Sequence, residues 1–277
     1  MCIRDIVDAQ GDAATLGSGL TPLYLTYRHY PVDDPKVAGA YGEWKDYNAY
    51  SDFISSEGVP VFYARVDHVS VPLAQEGTGQ VVVDFTPEPL TQDVSFVFHI
   101  EKTADVVVDS LTAEISGIPS TMELTTGLIL AQKTYKLLFR PTYAALPSAA
   151  DSASAEALRC EASVNIPGIV RSHTEDMVTG PGILQIAIYT HYDYEEEGTQ
   201  RKAAKVFHAG INLYHTLKER KSLQWDEEEN GYRQASRSIT VEIGSPLNID
   251  KDGILNGGST STGLDQWIPG ETFEIEV

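Results

Sequence analysis

Histidines, cysteines and runs of carboxylates are the residues of this chain that could carry chemistry. The seven histidines are His29, His68, His99, His173, His191, His208 and His215. None stands in a His-x-Glu or His-x-x-x-His spacing, and no Cys-x-x-Cys accompanies them, so the zinc-binding patterns are missing. Strand pairing could bring His208 and His215 near His191, but isolated histidines in strands are usually packing or surface groups. Glu195-Glu196-Glu197-Gly198 and Asp226-Glu227-Glu228-Glu229-Asn230-Gly231 are acidic runs that end in turn residues. Glycoside hydrolysis needs two carboxylates converging on one bond. Acids at hairpin tips are instead separate and solvated. Asn248-Ile249-Asp250-Lys251-Asp252-Gly253 is the most metal-like stretch, because Asn248, Asp250 and Asp252 put oxygens at alternate positions before a glycine, as a calcium loop begins. The twelfth position of such a loop should be a glutamate and is Ser259. Asp-x-Asp-Gly is also ordinary turn chemistry. Cys160 lies in a strand-like run (LRCEASV), where a thiol packs rather than attacks. No nucleophile elbow, phosphate loop or dinucleotide fingerprint follows a strand. The residues imply no enzyme, no metal and no cofactor.

Aromatic residues offer a binding chemistry instead. Trp44, Tyr47 and Tyr50 fall in a long Tyr-, Asp- and Gly-rich insertion from Val32 to Gly58. Such rings could stack on a carbohydrate or meet a protein; as packing aromatics of a sandwich they would do neither. A short helix is expected at Asn48 to Ser55 within the insertion.

The elements that must position these groups read as strands. Val94, Phe96, Phe98 and Ile100 alternate with Ser95, Val97, His99 and Glu101. Leu111, Ala113 and Ile115 alternate with Thr112, Glu114 and Ser116, and Tyr135, Leu137 and Phe139 repeat the pattern. Alternation sends one face to a core and the other to water. Gly117, Pro119 and Gly127 are expected to make turns between strands. Further strands are expected at Leu20–Tyr30, Val59–Asp67, Gly79–Thr86, Ala157–Val164, Ile166–Val170, Gly182–Tyr192, Lys202–Leu217 (with a bulge at Gly210), Ser238–Ile243 and Thr272–Val277. Asn230-Gly231 signals a hairpin turn.

Length and composition set the frame. At 277 residues the chain is long enough for two domains, and 42% hydrophobic with 22% charged residues fits a folded protein. The Ala-, Ser- and Pro-rich run Leu146 to Ala157 is the sharpest change in composition. It divides the chain into residues 1–147 and 148–277, or else forms a long loop within one large sandwich. The fold class expected is all-β, with two tandem antiparallel β-sandwich domains. Forty acidic against 20 basic residues give a formal charge of −20, which disfavours nucleic acid and anionic membrane surfaces as partners. No apolar run is long enough to span a membrane as a helix. The chain opens Met1-Cys2-Ile3-Arg4-Asp5, with neither a basic nor an apolar segment before Cys2. A cysteine here is where a bacterial lipoprotein, freed of its signal, carries its acyl chains. The alternative is an incidental residue of a cytosolic protein.

Three stretches carry a family likeness. LTAEISGIPSTMELTTG (Leu111 to Gly127) resembles the fimbrillin-type pilus proteins, in which a strand ending in Ser-Gly-hydrophobic precedes a short strand and a Thr-Gly turn. Cys2-Ile3-Arg4-Asp5 resembles the lipidated start of the related fimbrial lipoproteins. LDQWIPGETFEIEV resembles their closing tryptophan turn and last strand. The likeness implies two tandem transthyretin-like, Greek-key sandwiches, exported and anchored at the outer membrane or built into a fimbrium. It implies lipidation at Cys2, with the membrane reached only through that anchor. It also implies assembly with other pilus subunits by strand exchange. Arg-directed trimming is typical of the family, and Arg4 and Arg28 are the early arginines available. The last strand, with Phe273, Ile275 and Val277 on one face, is the expected exchanged strand, as a stalk, tip or anchor subunit would use it. A host or glycan receptor is a further implied partner. A surface glycan-binding lipoprotein using Trp44, Tyr47 and Tyr50 is the alternative reading.

Overall fold

The computed structural model describes residues 24–26, 29–30, 53–54, 61–64, 82, 84–124, 128–146, 155–169, 182–220, 223–226, 231–234, 236–255 and 267–275. The short strands β1 (Tyr24–Thr26), β2 (His29–Tyr30), β3 (Phe53–Ile54), β4 (Phe62–Tyr63) and β5 (Glu88–Pro89) come first. The long strands β6 (Gln92–Thr103), β7 (Val106–Glu123) and β8 (Ile129–Phe139) follow, then β9 (Thr142–Ala145). After these come β10 (Ala155–Ile166), β11 (Ile183–Glu196), β12 (Thr199–Asn212) and the helix α1 (Tyr214–Glu219). The chain continues through β13 (Leu223–Asp226), β14 (Gly231–Gln234), β15 (Ser238–Glu242), β16 (Leu247–Ile249) and β17 (Ile268–Ile275).

Two sheets face each other. The larger runs β13-β14-β8-β7-β11-β12-β17, with β1 added on β7 and β3 added parallel to β8. The smaller runs β15-β6-β10-β9, and β16 continues the β15 edge along β6. The alternating apolar residues decide which faces meet. Val94, Phe96, Phe98 and Ile100 of β6 and Leu158, Cys160 and Val164 of β10 are buried against Leu111, Ala113 and Ile115 of β7 and Leu184, Ile186 and Ile188 of β11. Phe96 stacks on Phe139 with ring centroids 5.6 Å apart, tying the sheets together. Burying each such phenylalanine contributes about 1.5–3 kcal/mol. The all-β sandwich expected from the alternation is what forms.

The division at 147/148 is not seen among the described residues. β9 and β10, on either side of it, pair Leu158 with Ala145 and Glu161 with Thr142. β6 pairs along its whole length with β10, and β7 pairs with β11. One core cluster draws on both halves. The strands on either side of the Ala/Ser/Pro run therefore belong to one sandwich.

Other expectations are corrected locally. Gly117 and Pro119 make no turn. They sit inside β7, where Gly117 adopts φ 84° and the register to β8 slips between Ile115 and Ile118. A glycine at positive φ makes a bulge, letting an 18-residue strand bend without ending. Ser116 at the bulge also receives the next element, its Oγ accepting from Ile183 N at 3.0 Å. Thr112, Glu114 and Ser116 do not face water, for the outer side of β7 is buried too. β10 is one strand where two were expected. The bulge placed at Gly210 belongs to β17: Phe207 pairs with Thr272 and Ala209 with Pro269, so the extra residue lies near Gly270. Asp84 to Pro87 is not strand, and Phe53–Ile54, inside the expected helix, pairs as β3. The expected hairpin near Asn230-Gly231 forms, but Gly231 is already paired with Asp226.

Candidate functional site

Two features of the larger sheet could act on a partner: its last strand and its longest hairpin. Trp267 anchors the start of the last strand. Its ring meets Phe98 edge-on, with centroids 5.7 Å apart, and its Nε1 donates to Ser245 O at 3.0 Å. From there β17 runs along the edge of the sheet, pairing Val206 with Phe273 and Ala204 with Ile275. No strand among the described residues pairs on its other side. Gly270 fits closely against β12, and a Cβ there would lie 2.9 Å from His208 Cβ. Of the residues expected to exchange, Phe273 and Ile275 thus lie in a strand paired within its own chain, and Val277 is outside the described residues.

The β11–β12 hairpin runs from the core into water. Its two-residue turn, Glu197-Gly198, has φ 52° and 76°, the positive pair that a tight right-twisted hairpin requires. Ile188 is fully buried and Thr190 nearly so, whereas Tyr194, farther along the same face, is 38% exposed. Tyr192 and Tyr194 stand 6.2 Å apart with planes tilted by 49°. Lys205 Nζ lies 5.4 Å from the centre of the Tyr192 ring and donates to Lys251 O at 2.9 Å. Near the tip Arg201 pairs with Glu196 at 2.9 Å. Sequence reasoning passed over this face. Its signal was present in the Tyr-x-Tyr alternation that continues the apolar repeat of β11.

The titratable groups are dispersed. His191 Nδ1 lies 2.8 Å from Asp109 Oδ1, where β7 carries one extra residue opposite β11. A His–Asp pair is two-thirds of a nucleophilic triad. The thiol among the described residues, Cys160, is fully buried in the other sheet, and burial pushes its pKa up to about 12. His208 is buried, which lowers its pKa to about 4. His191 and His208 share the β11–β12 ladder without joining a cluster. Among the described residues no three His, Cys, Asp or Glu side chains group as metal ligands would. In the calcium-like loop, Asp250 Oδ1 accepts from the backbone N–H of Asp252 and Gly253 at 2.7 and 2.8 Å. That is turn chemistry. Lys205's ammonium occupies the adjacent Lys251 carbonyl. Asn248 instead holds the loop's neck, its carbonyl accepting from Leu255 N at 2.8 Å. Cys2, Arg4, Arg28, Trp44, Tyr47 and Tyr50 lie outside the described residues. Among those described, no helix is long and apolar enough to cross a membrane.

No family model and no curated protein matches the chain. A crystal structure described as "a putative adhesin", from Bacteroides ovatus, is similar over 72% of this chain at 10% identity, with a TM-score of 0.34. The matched region spans 60% of that protein's length. Likeness of this degree carries no functional argument, and the reading of function rests on the strands themselves.

Proposed function

We propose that this protein is a non-enzymatic, cell-surface fimbrial subunit, tip or anchor that joins other subunits by β-strand addition. The observation that carries the reading is β17. Among the described residues it is an edge strand, hydrogen-bonded on one side to β12, fixed at its start by Trp267 and interrupted by a bulge at Gly270. An edge of this kind presents unpaired N–H and C=O groups to an incoming strand, and alternating side chains set its register. The same strand, if exchanged, would leave a neighbour's β12 as its template. The reading also takes Cys2 as lipidated, the protein as exported to the outer membrane or a fimbrium, and the ligands as proteins or receptors rather than cofactors.

Assembly is tested on purified full-length protein, before and after trypsin trimming, by light scattering and electron microscopy. Fibres or oligomers that are lost in Phe273→Asp and Ile275→Asp variants are expected. Protein that stays monomeric after trimming, with no surface fibres containing it, overturns the reading.

A further inference from the structure

We infer that the core-side face of the β11–β12 hairpin, beyond the last buried layer, is a binding site for a neutral saccharide. The inference stands apart from strand addition and uses different residues. The geometry begins with Tyr192. Its cross-strand partner is Ala203, whose methyl group is too small to cover a phenol ring, and the tyrosine side chain is half-buried. Lys205 holds it from below, its ammonium seated over the ring and tied to Lys251 O. A cation against the face of a ring fixes its orientation without occupying the outer side. Tyr194 is the next residue on the face and is 38% exposed. The two rings, 6.2 Å apart and tilted by 49°, form a shallow angled platform on a strand rather than on a loop. Arg201 is paired directly across from Tyr194 and is held by Glu196 at 2.9 Å. A guanidinium and a carboxylate side by side offer donors and acceptors to adjacent hydroxyls.

Charge chooses the ligand class. The hairpin tip carries Asp193, Glu195, Glu196 and Glu197, and the whole chain has a formal charge of −20, so an anionic glycan or acidic peptide meets repulsion. A protein interface of standard size needs an apolar centre of several hundred square ångströms. Here Tyr194 is the one large hydrophobic residue exposed on the hairpin among the described residues. A pyranose has the apolar C–H face that stacks on tyrosine and the hydroxyls that the Arg201–Glu196 pair would bind, and it carries no charge.

The test is an array of neutral and acidic oligosaccharides probed with monomeric full-length protein, followed by titration calorimetry with the neutral oligosaccharide retained best. Tyr194→Ala and Arg201→Ala should each weaken binding about tenfold. Tyr192→Phe, which keeps the ring, should bind as the wild type does. Melting temperatures of all three should match the wild type, since the positions lie outside the core. Absence of any neutral ligand, retention of acidic glycans alone, or full affinity in Tyr194→Ala would each overturn the inference. The last outcome would place the sugar elsewhere, and none of the three bears on strand addition.

Discussion

Lys136 Nζ donates to Glu114 Oε1 at 2.8 Å, and both side chains are almost completely buried on the outer side of the larger sheet. A charge taken from water needs its partner, and removing one leaves the other stranded. Glu114→Leu and Lys136→Met should each destabilise the protein by about 3–5 kcal/mol. The double replacement Glu114→Leu/Lys136→Met should recover part of that loss. Urea unfolding of the four proteins measures the coupling, and additive losses would contradict it.

His208 gives the fold an acid-side weakness. Its pKa falls from the ordinary 6.5 to about 4 because burial disfavours the imidazolium. The unfolded chain therefore binds the proton more readily between those values. Stability from this group is complete above about pH 6.5 and is lost as pH falls toward 4, at up to about 1.4 kcal/mol per pH unit. Denaturant midpoints followed from pH 7.5 to 4.5 should fall more steeply for wild type than for His208→Leu. Parallel curves would remove the histidine from the account.

Gly270 lies so near β12 that a methyl group there must displace His208. Gly270→Ala should destabilise the protein by about 1–3 kcal/mol. The loss should be concentrated in β17, where hydrogen exchange of residues 268–275 should rise before that of β6. Uniform exchange across the molecule would show that the strand is not a separable edge.

Cys160 should be silent in the native state. With its thiol fully buried and its pKa pushed up to about 12, it should resist a disulfide reagent at pH 8 and react once the chain is unfolded. Cys160→Ser should cost about 1–3 kcal/mol by burying a hydroxyl among Phe98 and its neighbours. Rapid native labelling of Cys160 in a Cys2→Ser background would refute the packing described.

Much of the sandwich was legible in the sequence because period-two alternation is a local property. Val94 to Ile100 and Leu184 to Ile188 announce both strand and face. What alternation cannot give is the partner. Nothing near Leu146 says that β10 returns to β6, and a composition shift there looked like a boundary. Gly117 and Pro119 were misread because a glycine at positive φ serves a bulge as well as a turn. Glu114 was taken for a solvated residue because alternation assigns one face to water, whereas both faces of β7 are buried there. The Tyr192–Tyr194 face was visible as an alternation, but its link to Lys205 and Lys251 depends on the hairpin's closure over the β16 loop.

The arrangement of β6 also bears on how the protein is made. Each of its ladder partners, β10, β15 and β16, is synthesised after it. Val94 must wait for Val164 and then for Ile239. A chain leaving the ribosome in order cannot complete the smaller sheet until Ile249 has emerged, and such non-local pairing folds slowly. The smaller sheet thus stays incomplete through most of synthesis, whereas the local pairs β7–β8 and β11–β12 can form earlier.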